Sequence, residues 1–179
     1  SFLDACLSAL TSLTGGLEGV EIIVVDNGST DESARIASRF PLDLLRSPRV
    51  SIFEARNLGR ERATGATLAF IDSDVVVTAR WVAAALEHAE RRTVLAGYPY
   101  IVRDDASVIE RAWFRDLYRS PKHFPGGNFM MSAELFDALG GFDPEWPTGE
   151  DVDLFRRSVA REAVPVFDPE LEAIHLGYS

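Results

Sequence analysis

The chain has 179 residues, 46% hydrophobic and 26% charged, with three His, one Cys and a formal net charge of -10. That length holds one domain with a full core, the near-average composition excludes a disordered chain, and one cysteine excludes a disulfide framework or a cysteine zinc cluster. With 28 Asp and Glu against 18 Lys and Arg, nucleic acid is not an expected partner, because phosphate neutralisation needs a basic face.

Phe2 to Leu13 places Phe2, Leu3, Cys6, Leu7, Leu10 and Leu13 at helical spacing, and Gly15-Gly16 ends that helix. The β-branched run Val20 to Val25 predicts a strand covered on both faces, closing in the turn Asp26-Asn27-Gly28-Ser29-Thr30-Asp31. A helix to Phe40 follows, with Ser29 or Thr30 as N-cap. Leu44-Leu45 predicts a short strand, Phe53 to Ala63 a helix and Leu68 to Ile71 a buried strand ending in Asp72-Ser73-Asp74. Ala79 to Arg92 reads as a helix and Val94 to Val102 as extended chain. This alternation predicts an α/β domain with a mainly parallel sheet.

Beyond Val102 the rhythm changes. A helix is expected around Ser107 to Tyr118, extended chain at Phe129-Met130-Met131, and a short helix at Ala133 to Leu139. A long loop, Gly140 to Gly149, leads to a helix over Glu150 to Arg161 and a strand at Val164 to Phe167. No run approaches the length that spans a bilayer, and the first residues lack the basic region of a signal peptide.

Ligands of open α/β sheets bind at the carboxyl ends of strands, where this sequence puts two acidic turns. A lone Asp there is ordinarily a turn former, which covers Asp26. Asp72 and Asp74 alternate on extended chain, so both carboxylates can converge on a cation or a ribose. Glu150, Asp151 and Asp153 open a helix, where acids also favour the dipole. If Val152, Phe155 and Val159 form the buried stripe, Asp151 and Asp153 lie about 100° to either side of it. One of them can then act as a base while the other caps or pairs with an Arg. Arg56, ordinarily a residue that solvates a helix, sits on a helix between the two acidic strand ends and could instead reach an anionic ligand. His175 is read as structural or as a metal ligand, Cys6 as packing, and Trp113, Phe114 and Tyr118 as core or cleft lining.

Together these motifs resemble the inverting family 2 glycosyltransferases of the GT-A fold. The likeness runs in order through Val24 to Asp31 (where Asp is more frequent than Asn27), Ala55-Arg56-Asn57-x-Gly59, Ala63-Thr64-Gly65 and Phe70 to Asp74. It continues through Gly126-Gly127-Asn128, Gly140 to Asp143, Gly149 to Leu154 and His175 to Ser179. The resemblance implies one domain over 1–179, with a nucleotide-sugar half to about residue 102 and an acceptor and catalytic half beyond it. It implies Asp26 and Arg56 at the nucleotide base, Asp72 at the ribose, and Asp74 with His175 at a divalent cation, Mn²⁺ or Mg²⁺, on the diphosphate. Gly127, Asn128 and Glu150 would face the acceptor, and Asp151 would be the general base.

The implied partners are a UDP-, GDP- or dTDP-sugar and a saccharide or lipid-linked saccharide, in the cytoplasm or at the cytoplasmic face of the membrane. Family members usually open with a strand of the Pro-x-Tyr/Phe-Asn type, which is expected to lie outside this chain. A receiver domain is disfavoured because the lone Lys122 falls in a loop, and a nucleotidyltransferase because no basic Gly-rich loop opens the chain. A non-catalytic sugar-nucleotide module is the remaining alternative.

Overall fold

The computed structural model describes residues 1–103, 105–108, 111–112, 122–146 and 148–177. Helix α1, Phe2–Thr14, starts at a Ser1 N-cap whose side chain accepts from the Asp4 N–H. It buries Cys6 and Leu7. Strand β1, Ile23–Asn27, pairs in parallel with β2, Asp43–Ser47. Because β1 has only that ladder partner among the described residues, it is half-buried throughout rather than covered on both faces.

Helix α2 is shorter than expected, Ser33–Ala37. Asp26 Oδ1 accepts from the Ser29 N–H and Asp31 Oδ1 from the Ser33 N–H. These local bonds keep Ser29 and Thr30 in turns and delay helix entry. Helix α3, Ile52–Arg62, has a complete capping box between Ser51 and Glu54.

Strands β3, Thr67–Ile71, and β4, Val75–Val76, flank the acidic triplet. Helix α4, Ala79–Glu90, begins where the Thr78 hydroxyl accepts from the Trp81 N–H. It ends two residues before the expected Arg92, which adopts a φ of 54°. The extended run then divides at Pro99, which cannot donate to a ladder, into β5, Leu95–Gly97, and β6, Tyr100–Val102. Strand β7, Asn128–Ser132, leads directly into α5, Ala133–Ala138. Helix α6, Glu150–Ala160, β8, Val166–Phe167, a 3-10 turn at Pro169–Leu171, and β9, Ala173–His175, complete the described fold.

The expectation of mainly parallel pairing is corrected. β1–β2, β5–β8 and β6–β9 are parallel, whereas β3–β7, β5–β7 and β4–β9 are antiparallel. The cause is β7, which enters between β3 and β5 and runs against both. It also divides the core, since strand side chains alternate between faces. Met130 joins Val75, Val77, Trp81 and Leu171 on one side. Phe129 and Met131 join Phe53, Leu68, Phe136, Phe142 and Leu154 on the other. Burying one such side chain contributes about 1.5–3 kcal/mol, so this strand anchors both clusters. Of the helix expected over 107–118, Trp113, Phe114 and Tyr118 lie outside the described residues, as do Tyr178 and Ser179.

Candidate active site

The site begins with α3, which turns Arg56 toward the carboxyl end of β3. Its Nη2 donates to Asp72 Oδ1 at 2.8 Å and its Nη1 to Glu150 Oε1 at 2.6 Å. The guanidinium also lies over the Phe142 ring, 5.4 Å from its centroid. Burial alone would lower the Arg56 pKa, but the charges and hydrogen bonds of Asp72 and Glu150 overcome it and hold it above its ordinary value. Two of its five donors are thus engaged by protein carboxylates, which makes Arg56 a strut between β3 and α6.

The neighbouring Asn57 reinforces this strut. Its amide donates to the Phe142 carbonyl at 2.8 Å and accepts from the Phe142 N–H at 2.9 Å, in the manner of one rung of a ladder. One turn on, Arg60 holds Asp137 through two contacts of 2.9 and 2.7 Å.

The turn before β7 closes against the same cluster. Gly127 accepts through its carbonyl from the Asp72 N–H at 3.2 Å. A Cβ built there would lie 2.0 Å from Asp72 Cγ, so glycine is required by contact rather than by φ. The Gly126 N–H donates to Asp151 Oδ2 at 3.1 Å, and Asp151 Oδ1 accepts from the Val152 N–H at 2.8 Å. Asp151 is raised above the ordinary carboxylate value, first by burial and also by the charge of Glu150. The two N–H bonds and the charge of His123 offset part of that rise.

The buried positions of α6 are Leu154 and Ser158, while Val159 is exposed. This corrects the expected Val152–Phe155–Val159 stripe and places Asp151 on the inward face, one turn before Leu154. Beside it is a void of about 10 Å³ bounded by Phe124, Phe129, Leu154 and Phe155. Asp153 faces elsewhere and pairs with Arg157.

Asn128 departs from its expected place at the acceptor. It is fully buried, its Oδ1 accepting from Trp81 Nε1 and its Nδ2 donating to the Tyr98 and Leu171 carbonyls, each at 2.8 Å. That amide ties β7 to α4, to the link between β5 and β6 and to the 3-10 turn, and has no donor left for a substrate.

Asp26 stands apart. At the end of β1 it holds the Ser29 N–H, and no hydrogen bond or ion pair among the described residues joins it to the Arg56 cluster. Its neighbour Asn27 donates to the Val50 carbonyl and accepts from the Val50 N–H. A carboxylate could not do both, which accounts for Asn at this position. Gly28 follows at a φ of 66° with the Arg49 backbone only 2.9 Å from a built Cβ. An open groove of about 520 Å³ borders this end of β2, with Ser47 and Val50 among its walls.

On the far side, His175 Nε2 faces Asp74 Oδ2 at 3.6 Å. The Gly177 N–H donates to His175 Nδ1 at 3.0 Å, so the neutral ring carries its proton on Nε2. For a hard cation, the half-buried Asp74 carboxylate is a fitting ligand, since Mg²⁺ and Mn²⁺ take one or two carboxylates and complete their shell with water and phosphate. Among the described residues no group of three or more His, Cys, Asp or Glu is arranged to hold a metal.

Cys6 is buried, as its reading as packing expects, whereas sequence reasoning missed Tyr100 and the approach of both to Asp72. The Cys6 thiol donates to the Asp72 carbonyl at 3.6 Å, and burial first, then the charges of Asp74 and Asp72, push it up to about 12. The Tyr100 hydroxyl donates to Asp72 Oδ2 at 3.4 Å. A spacing rule cannot find either, because both reach Asp72 from other elements.

The family model described as Glycosyl transferase family 2 matches residues 1–142. The pre-mycofactocin glycosyltransferase of Mycobacterium tuberculosis is 27% identical over 181 residues, covering 90% of this chain and 38% of that protein. Glycosyltransferase AglE of Haloferax volcanii is 36% identical over 86 residues, 45% of this chain and 28% of that protein. Among solved structures, the mannosyltransferase PcManGT from Pyrobaculum calidifontis in complex with GDP-Man and Mn²⁺ superposes with a TM-score of 0.75 at 18% identity. That match covers 97% of this chain and 52% of that one. S. aureus TarS 1-349 in complex with UDP-GlcNAc gives 0.77 at 14% identity, covering 99% and 55%.

The chain thus spans well under half the length of these relatives and about half of these structures. The structures establish the GT-A fold. With the family match extending over the first 142 residues, the chain belongs to glycosyl transferase family 2.

Proposed function

We propose that this chain carries the donor site and the catalytic base of a transferase that moves a sugar from a nucleoside-diphosphate sugar to a hydroxyl acceptor, inverting the anomeric carbon. The observation that carries the reading is the meeting of three chain segments at one turn. Gly126–Gly127 abuts both Asp72, at the end of β3, and Asp151, in the first turn of α6. One carboxylate is tied to Arg56, and the other is kept apart from it with a raised proton affinity.

In this reading Asp151 takes the proton of the acceptor hydroxyl as its oxygen attacks the anomeric carbon. The bond to the diphosphate breaks, and its electron pair leaves with the nucleoside diphosphate. Desolvation makes Asp151 a stronger base than an exposed carboxylate, while the Gly126 N–H holds one oxygen in place. Asp72 receives the ribose and Asp26 the nucleotide base. Glu150 and Gly127 line the acceptor side. Arg56 offsets part of the charge of Asp72 and Glu150, which lessens their repulsion of the base and of an anionic donor.

A divalent cation, Mn²⁺ or Mg²⁺, held by Asp74 would offset charge on the departing diphosphate. His175, 3.6 Å from Asp74, stands on that side as a metal or diphosphate contact. The donors named for PcManGT and TarS, GDP-Man and UDP-GlcNAc, support a nucleotide-sugar donor. The acceptor class is a saccharide or a lipid-linked saccharide. Among the described residues no helix is long and apolar enough to cross a membrane.

Asp151→Asn tests the assignment. Transfer should fall by about 10²–10⁴-fold, the usual contribution of a general base, with nucleotide affinity by calorimetry unchanged. Transfer at the native rate would remove Asp151 from the chemistry.

A further inference from the structure

Tyr100 lies on β6, in the sheet that also holds β4 and β9, yet it reaches a carboxylate just past the end of β3, which belongs to the sheet of β7, β5 and β8. Its side chain is 92% shielded, and its ring lies against the His175 imidazole, with centroids 5.1 Å apart and planes tilted by 57°. His175 in turn faces Asp74. The two acids of the triplet are thus approached from one aromatic pair, the hydroxyl on Asp72 and the imidazole on Asp74.

The carboxylate of Asp72 has two oxygens with different surroundings. Oδ1 is fixed by Arg56 at 2.8 Å, while Oδ2 has the Tyr100 hydroxyl as its hydrogen-bond partner among the described residues. Backbone contacts to Gly127 and Cys6 fix the main chain of Asp72, and Gly127 closes one side of its carboxylate, so the freedom that remains is rotation of the carboxylate plane. Without the hydroxyl, the carboxylate can pivot about its bond to Arg56. At 3.4 Å the contact is long for O–H···O, so it steers the group more than it stabilises the fold. Asp72 keeps 39% of its side-chain surface exposed, enough to receive a ligand.

We propose that Tyr100 is a positioning residue that aims the Asp72 carboxylate so that both oxygens can accept from a vicinal diol, giving the site its preference for ribonucleotides over 2′-deoxyribonucleotides. This rests on the assignment of Asp72 to the ribose. A correctly aimed carboxylate gains a second hydrogen bond from the 2′-hydroxyl, whereas a pivoted one gains only the first. The preference is therefore a direct reading of the aim.

The test measures dissociation constants of UDP, 2′-deoxy-UDP, GDP and 2′-deoxy-GDP by calorimetry in Mn²⁺, for the native chain, Tyr100→Phe and Asp72→Asn. Tyr100→Phe keeps the ring against His175 and should melt near the native temperature. Its ribo-over-deoxy preference should drop by about three- to tenfold, the size of one hydrogen bond to a charged group, through weaker ribonucleotide binding alone. Equal weakening of both nucleotides, or an unchanged ratio, would overturn the proposal. If Asp72→Asn abolishes the preference while Tyr100→Phe retains it, the ribose assignment stands and the role of Tyr100 fails. A native chain with no preference for either ribonucleotide would overturn both.

Discussion

Asp151 binds its proton more tightly in the folded chain than an exposed carboxylate does, and this has two consequences of opposite character. For catalysis, the acid limb of the rate profile should lie above the ordinary Asp value of about 4. For stability, a raised folded pKa means that the folded state holds more protons than the unfolded state between the two values. The contribution of Asp151 is then fully present below the ordinary value and is lost as pH rises through the raised one. Melting curves should accordingly show Asp151→Asn gaining on the native chain from mildly acid to neutral pH; a variant that loses ground to the native chain over that range would contradict the burial argument.

Gly127 makes a different residue-scale prediction. With Asp72 Cγ 2.0 Å from a built Cβ, Gly127→Ala must displace that carboxylate. Nucleotide affinity should fall at least tenfold while the melting temperature drops by a few degrees. Motif spacing drew attention to Asp72, Asp74 and Asp151, and the family resemblance to the glycine pair. That resemblance placed Asn128 at the acceptor because the sequence has no way of showing that Trp81, Tyr98 and Leu171 converge on its amide.

At the scale of elements, α3 does most to assemble the site. Phe53 and Ala55 bury one face, and Arg56, Asn57 and Arg60 each hold a different piece of the second half of the chain. Arg56→Met should leave Asp72 and Glu150 without their cation and cost about 2–3 kcal/mol, less than a fully buried pair because Asp72 is partly exposed. A shift of the urea midpoint with an unchanged slope would show this; an unshifted midpoint would make the strut inconsequential. The same helix was legible in the sequence from Phe53 to Ala63, because its capping box and apolar spacing are local. Its role as a strut was not, because both partners of Arg56 lie far along the chain. The short α2 and the inward face of α6 were misread for a similar reason. Asx turns displaced one helix start, and packing against Phe124 and Phe129 chose Leu154 over Val159 as the buried position of the other.

For the whole molecule, the alternation of strands and helices foretold an α/β fold, but strand direction depended on β7, whose place between β3 and β5 no local pattern encodes. The net charge of -10 sets the terms on which an anionic donor can bind. Mn²⁺ should therefore raise nucleotide affinity in calorimetry, EDTA should abolish the gain, and Asp74→Ala should lose it while keeping metal-free binding. A gain that survives in Asp74→Ala would move the cation elsewhere.

The three polar ties of α3 have a further consequence, in time rather than in energy. Arg56–Glu150, Asn57–Phe142 and Arg60–Asp137 link residues 94, 85 and 77 apart in sequence. Closing loops of that length costs more entropy than the nearer contact of α3 with β1, so these contacts are expected to form late in folding. Arg56→Met should accordingly speed unfolding in a chevron experiment and leave the refolding limb almost where it was. Donor and base would meet only once the chain has all but finished folding, which keeps half-folded chains from presenting a working site.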